Sequence, residues 1–294
     1  MGDGGNGPIT VRIPTRIDFA GGWSDVHYFS EREGGAVLNA AITPYVEGRA
    51  RWDNAGLCLT YTLDLPPSSH LGTSGSIDVA WLALTIGLMG HTQSPVEQAE
   101  SAYRLEKLLG IEGGKQDQYA AALGGFNALR FGAEHDAAEV ERLDVAAETV
   151  RALEDRCVLC YSGPPPAAGS VHERVWERYR RGDRKVISAL RDIRDSVTPA
   201  RDALLSGDLD ALAHQLTLNR EAGRRLDPDT VTARMDELFH KGEAAGALGS
   251  KACGEGGGGC LLFLCARARE NEVERALREK GTDIINFSFA PRRV

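Results

Sequence analysis

The stretch Pro67-Ser68-Ser69-His70-Leu71-Gly72-Thr73-Ser74-Gly75-Ser76 decides how this chain is read. It leads directly into Ile77, Ala80, Trp81, Leu84 and Leu88, which recur at helical spacing and predict a helix over 76–88. A small-residue loop at the start of an apolar helix lets backbone N–H groups approach an anion. The helix N-terminus favours negative charge at the same point. Hydroxyls on Thr73, Ser74 and Ser76 can add hydrogen bonds or a magnesium ligand. The same serines serve equally well as helix caps, a role worth about 1 kcal/mol. The loop has no Gly-Lys-Ser/Thr and no G-x-G-x-x-G, so it is neither a Walker A nor a Rossmann loop.

Two further segments bear chemistry. In Gly113-Gly114-Lys115-Gln116-Asp117-Gln118-Tyr119 a carboxylate stands between two amides just after a glycine turn. That pattern suits an oriented base, and it suits a helix cap with a polar first turn. Glu106 lies eleven residues earlier on a helix opened by Ser94-Pro95, where solvation is the ordinary fate of a glutamate. The run Lys251-Ala252-Cys253-Gly254-Glu255-Gly256-Gly257-Gly258-Gly259 precedes an apolar strand. Five glycines in six positions carry a heavy entropy cost, which close backbone approach to a ligand explains; a hinge is the other explanation.

Around these segments the chain reads as a mixture of strands and helices. Strands are predicted at 9–19 (with a break at Pro14), 42–51, 57–63, 126–131, 157–161, 261–265 and 283–289. Helices are predicted at 95–109, 117–123, through much of 169–246, and at 269–280. The interleaving lacks a regular βαβ rhythm, so the fold class is α+β. An acidic, alanine-rich stretch at 133–155 marks the junction between two domains, 1–150 and 151–294.

Composition narrows the function further. With 42% apolar residues, 26% charged residues and a net charge of −8, the 294-residue chain is ordinary for a globular protein and ill suited to nucleic acid. No apolar run approaches the roughly 20 residues of a membrane helix, and Met1–Gly7 has no signal-peptide pattern, so a cytoplasmic location is expected. Six cysteines form no disulfide scaffold. Cys157 and Cys160 form a C-x-x-C inside a strand-like run with no second pair at zinc spacing.

Taken together and in this order, the segments resemble the GHMP kinase superfamily, the likeness spanning about residues 9 to 290. Its first motif is similar to Pro14-Thr15-Arg16-Ile17-Asp18-Phe19-Ala20-Gly21-Gly22-Trp23-Ser24-Asp25, its second to Pro67–Ser76 and its third to Lys251–Gly259. Gly34–Ala40, Gly114–Ala122 and Gly124–Asn127 further resemble the sugar 1-kinases that act on heptose 7-phosphate. The resemblance implies an N-terminal domain like ribosomal protein S5 domain 2, a ferredoxin-like C-terminal domain, and ATP and sugar in the cleft between them. By motif position it assigns Asp117 as the base that takes the sugar hydroxyl proton and Arg16 as the partner of the transferring phosphoryl group. Ser74 and Glu106 would hold Mg²⁺, and Asp25 would bind sugar hydroxyls. Leu71, Gly72, Thr73, Ser74, Gly75 and Ser76, with Gly256 and Gly257, would line ATP; Gly256 and Gly257 would also face substrate.

The implied activity is phosphorylation of the anomeric hydroxyl of a heptose 7-phosphate or related sugar. A non-catalytic sugar or nucleotide sensor and a kinase of a non-sugar alcohol such as mevalonate are the alternatives. The oligomeric state is left open, a homodimer included. Four departures from the family pattern stand out. His70 replaces a glycine, where a positive φ would strain it unless its imidazole reaches a phosphate. Trp23 would reshape the sugar pocket. Glu255 is expected to point away from phosphates. The loop Ser162–Gly169 carries three prolines and no Lys or Arg, which argues against a phosphate-bearing substrate.

Overall fold

The computed structural model describes residues 9–53, 56–134, 137–165 and 170–293; Met1–Gly7 and part of the proline loop lie outside these. Two antiparallel sheets organise the chain, consistent with the α+β expectation. The first is built on one long strand, β2 (Gly35–Asp53). It pairs along its length with β1 (Ile9–Ala20), β3 (Gly56–Leu63) and β4 (Phe126–Phe131), and β5 (Glu139–Leu143) pairs with β4. Pro14 does not end β1. A register shift at Pro14/Thr15 absorbs the missing N–H and β1 continues to Ala20.

Helices α2 (Thr73–Leu88), α3 (Pro95–Leu108) and α4 (Gln116–Leu123) cover one face of this sheet. Ser94 and Glu97 form a reciprocal capping box at the start of α3, with Pro95 in the first turn. The short α1 (His27–Glu33) follows β1, in a stretch whose polar composition predicts no helix; it is held by burial of Phe29.

The second sheet has the order β7 (Ala247–Ala252), β8 (Cys260–Cys265), β6 (Cys157–Tyr161), β9 (Asp283–Ile284). The acidic stretch at 133–155 contains β5 and α5 (Ala147–Arg156). Next come α6 (Val171–Arg180), α7 (Arg184–Asp195), α8 (Val197–Ser206), α9 (Leu209–Leu226) and α10 (Ala233–Ala245). α11 (Glu270–Arg278) follows β8. One apolar core runs between the sheets, from Ile17, Phe19 and Leu38 through Leu212 and Leu216 to Leu262 and Leu264. Burial of each such side chain is worth about 1.5–3 kcal/mol.

The strand expected over 283–289 is only Asp283–Ile284. Beyond it the chain leaves the second sheet and returns to the first. Thr43 N–H donates to Ser288 O at 2.9 Å, Ala290 N–H to Ala41 O at 2.8 Å, and Gly125 N–H to Ala290 O at 3.2 Å. Residues 288–290 thus fill the gap where β2 and β4 splay apart. Cys157 and Cys160 lie three apart on β6, on opposite faces of the strand, and burial pushes the Cys160 thiol up to about 12.

Candidate active site

β1 delivers Arg16 to a cleft of about 400 Å³, where its guanidinium meets Asp117 in the first turn of α4. Arg16 Nε donates to Asp117 Oδ1 at 2.8 Å and Nη2 lies at 2.8 Å from the same oxygen. Nη1 donates to the carbonyl of His70 at 2.7 Å. Burial opposes the arginine's charge, but Asp117 and Asp18 outweigh it and hold its pKa above the ordinary value. Glycines make this approach possible. A Cβ on Gly75 would stand 2.9 Å from Asp117 Cβ, and one on Gly72 2.9 Å from Arg16 Cγ.

The turn into α2 is built from left-handed backbone. Gly72 has φ 70°, and Ser68 and His70 adopt φ 54° and 59° without being glycine. Trp23 has φ 80°, so three of the four positive-φ non-glycine residues among those described line the cleft. Strain of about 1–3 kcal/mol at each persists only where surrounding structure enforces it. His70 is enforced twice: Arg16 holds its carbonyl, and its ring packs within 3 Å of where a Cβ on Gly259 would be. Burial and Arg16 lower its pKa below the ordinary imidazole value.

Asp25 is 3% exposed and accepts from Gln116 N–H at 3.0 Å. Gly114 leaves room for it, since a Cβ there would fall 1.9 Å from Asp25 Oδ2. Burial pushes the Asp25 carboxyl up to about 7. Glu106, buried on α3, accepts from Gln118 Nε2 at 2.6 Å and lies beside Ser74 and Asp78. Burial and the neighbouring Asp78 raise the Glu106 pKa, and burial raises that of Asp78, whose Oδ2 is buried without a partner. Two carboxyls and a hydroxyl facing one another make an oxygen donor set that fits a hard divalent cation. The described residues contain no cluster of three or more His, Cys, Asp or Glu side chains that could hold a metal.

The third glycine run closes the cleft from the second sheet. Lys251 on β7 forms a buried ion pair with Asp18 of β1 and donates to the Asp18 carbonyl at 2.9 Å. Gly254 N–H donates to Asp18 Oδ1 at 3.2 Å. Four placements differ from the sequence expectation. Gly256 and Gly257 do not line the cleft; they pack on Thr230, whose carbonyl accepts from Gly257 N–H at 2.8 Å, and Gly254 lines the cleft instead. Glu255 does not point away: it lines the cleft with Oε1 3.8 Å from His70 Nε2. Leu71 is fully buried in the core between the sheets. Ser76 Oγ, with Gly75 behind the lining, is engaged with Pro14 O at 2.8 Å and Gly72 O at 3.0 Å. Gly72, Thr73, Ser74, Arg16, Asp25, Glu106 and Asp117 all line the one cleft.

Comparison with known proteins decides the family. The sequence profile of the GHMP kinase N-terminal domain matches residues 37–125, and that of the GHMP kinase C-terminal domain matches residues 200–283. The chain is a GHMP kinase. It is 25% identical to D-glycero-alpha-D-manno-heptose 7-phosphate kinase of Campylobacter jejuni, over 97% of this chain and 98% of that one. It is also 25% identical to the bifunctional fucokinase/GDP-fucose pyrophosphorylase of Arabidopsis thaliana, over 94% of this chain and 31% of that longer protein. Among solved structures, a D-glycero-D-manno-heptose 1-phosphate kinase from Bacteriodes thetaiotaomicron superposes with a TM-score of 0.79 at 26% identity, covering 96% of each chain.

Two residues of this GHMP kinase site escape a reading of motifs. Asp78 follows Ser74 by one helical turn, so its signal was periodicity on α2. His172 sits on α6, far from any motif, and stacks on Trp23 with ring centroids 5.5 Å apart and planes at 23°. Only the tertiary fold brings it to the cleft.

Proposed function

We propose that this GHMP kinase transfers the γ-phosphoryl group of ATP to the anomeric hydroxyl of a sugar, a heptose 7-phosphate or a related free or phosphorylated sugar. The observation that carries this reading is the Arg16–Asp117 pair at 2.8 Å, set at the mouth of the Gly72–Ser74 turn. Asp117 accepts the proton as the sugar oxygen attacks the γ-phosphorus. The new O–P bond forms, the bond from the γ-phosphorus to the β,γ-bridging oxygen breaks, and ADP leaves with that electron pair. Arg16, held by Asp117 and the His70 carbonyl, places its charge where equatorial phosphoryl oxygens gather charge. Backbone N–H groups of Thr73 and Ser74, at the start of α2, face the ATP phosphates. Ser74 and Glu106, with Asp78 beside them, would hold Mg²⁺, which supplies charge neutralisation to the phosphates when bound.

Relatives named for sugar kinases, matched over nearly the whole chain, support a sugar acceptor. Asp117→Asn tests the base. ATP-dependent sugar phosphorylation should fall by about 10²–10⁴ in kcat while ATP affinity stays within a few-fold. An unchanged kcat, or an ATPase rate indifferent to every sugar offered, would sink the proposal.

A further inference from the structure

We propose that Gln118 is a positioning residue for the cation site: its side-chain amide holds the Glu106 carboxylate in place for a divalent ion, from the same helical turn that carries Asp117. This deepens the reading above and rests on its Ser74–Glu106 cation site.

Three consecutive residues at the start of α4 each hold one side chain of the cleft. Gln116 N–H donates to Asp25 Oδ2 at 3.0 Å, Asp117 accepts from Arg16 at 2.8 Å, and Gln118 Nε2 donates to Glu106 Oε2 at 2.6 Å. Neighbouring side chains on a helix point about 100° apart, so Asp117 and Gln118 serve different partners without competing. Gln118 lines the cleft yet is only 1% exposed. Its Oε1 is buried with no partner among the described residues. A bare buried acceptor is costly, and an O–H donor such as a water carried by the cation would relieve it.

An amide suits this task better than a charged group. Asp78 already stands beside Glu106, so a carboxylate at position 118 would bring a third negative charge to one spot. A lysine or arginine there would neutralise Glu106 and compete with the cation. An amide N–H fixes one carboxylate oxygen and leaves the charge in place for the ion.

A second, separate network docks α4 on α3. Lys115 Nζ donates to both carboxylate oxygens of Glu100 at 3.0 Å, and the Tyr119 hydroxyl donates to Glu100 Oε1 at 2.7 Å. Ala138 N–H donates in turn to that hydroxyl at 2.8 Å. Glu100 lies six residues before Glu106 on α3, roughly 9 Å along the helix axis. Loss of the Gln118 amide therefore frees the Glu106 carboxylate and leaves the two helices docked.

The test uses the full chain, with Mn²⁺ as the probe ion and the β,γ-imido analogue of ATP as a nucleotide that does not turn over. Titration calorimetry compares binding of the Mn²⁺–analogue complex with binding of the analogue under chelator. Gln118→Met should weaken the Mn²⁺ complex about tenfold or more. Metal-free binding and the ligand-free melting midpoint should stay unchanged. Gln118→Asn, one methylene shorter, should show the same selective loss, and it decides the matter alone if the Met variant does not fold. An unchanged affinity for the Mn²⁺ complex overturns the proposal, and so does an equal loss with and without the ion. Wild-type protein that binds the complex no better than the metal-free analogue sinks the cation site and this proposal with it. Wild-type protein that binds the complex but phosphorylates no sugar sinks the sugar-kinase reading alone, and the Mn²⁺ comparison still decides the role of Gln118.

Discussion

Asp18 and Lys251 face each other across the join between the two sheets, one fully buried and the other 3% exposed. Burial alone would raise the Asp18 carboxyl, but Lys251 and Arg16 overcome this and hold it below the usual carboxylate range. Such a pair adds little net stability while intact, yet removing one member strands a charge in a low-dielectric interior. Lys251→Met should therefore cost about 3–5 kcal/mol, read as a drop in the urea midpoint. Adding Asp18→Asn to that variant should recover a large part of the loss, since the amide can still accept from Gly254 N–H. A double variant no more stable than Lys251→Met would refute the buried-charge account. The chain motifs pointed to Arg16 and to the Lys251 run, but this ion pair was not legible. It joins residues 233 positions apart, and nothing local in either segment calls for the other.

At the scale of elements, the proposed reaction requires the close approach of α2 to α4. Gly75 faces Asp117 with room for a hydrogen and no more. Gly75→Ala is tolerable to α2, because alanine favours helix, so the change should act through geometry. It should push the first turn of α4 by several tenths of an ångström, lowering kcat about tenfold or more with little change in thermal midpoint. Circular dichroism and steady-state kinetics on one preparation would check both halves of that statement. α3 was legible from its capping box, and α2 from its run of apolar residues behind the small-residue loop. α1 was not, because only Phe29 and Ser30 of its seven residues are buried and no period emerges. β5, Glu-Val-Glu-Arg-Leu, was hidden by its edge position, where charged residues are in place and blunt the strand signal. β7 was hidden by small residues. Gly249 lies against the backbone of α9, where a Cβ would fall 1.8 Å from Ala213 O.

For the whole molecule, the returning segment makes the two sheets one structure. Phe289 packs on Phe126 with centroids 4.6 Å apart and planes tilted by 42°, lies 6.3 Å from Phe19, and Arg293 N–H donates to Leu123 O at 2.8 Å. Ending the chain after Ile284 should destabilise the protein by about 3 kcal/mol or more from lost aromatic burial alone. Melting of the shortened chain would show it as a lower midpoint. The cleft was legible as a set of motifs because phosphate handling demands glycines and hydroxyls in fixed local order. His172, which also lines the cleft, was not, because it arrives there through the packing of α6 and carries no local signature.

The returning segment also comes last in the chain. Residues 9–131 can emerge from the ribosome and begin to pair, but the gap between β2 and β4 stays open until residues 288–290 have been made. Helix α4, which carries Asp117, ends at that gap, with Arg293 Nη1 donating to Ala121 O at 3.1 Å. That helix therefore has part of its support from the last residues of the chain, which are the last to be made.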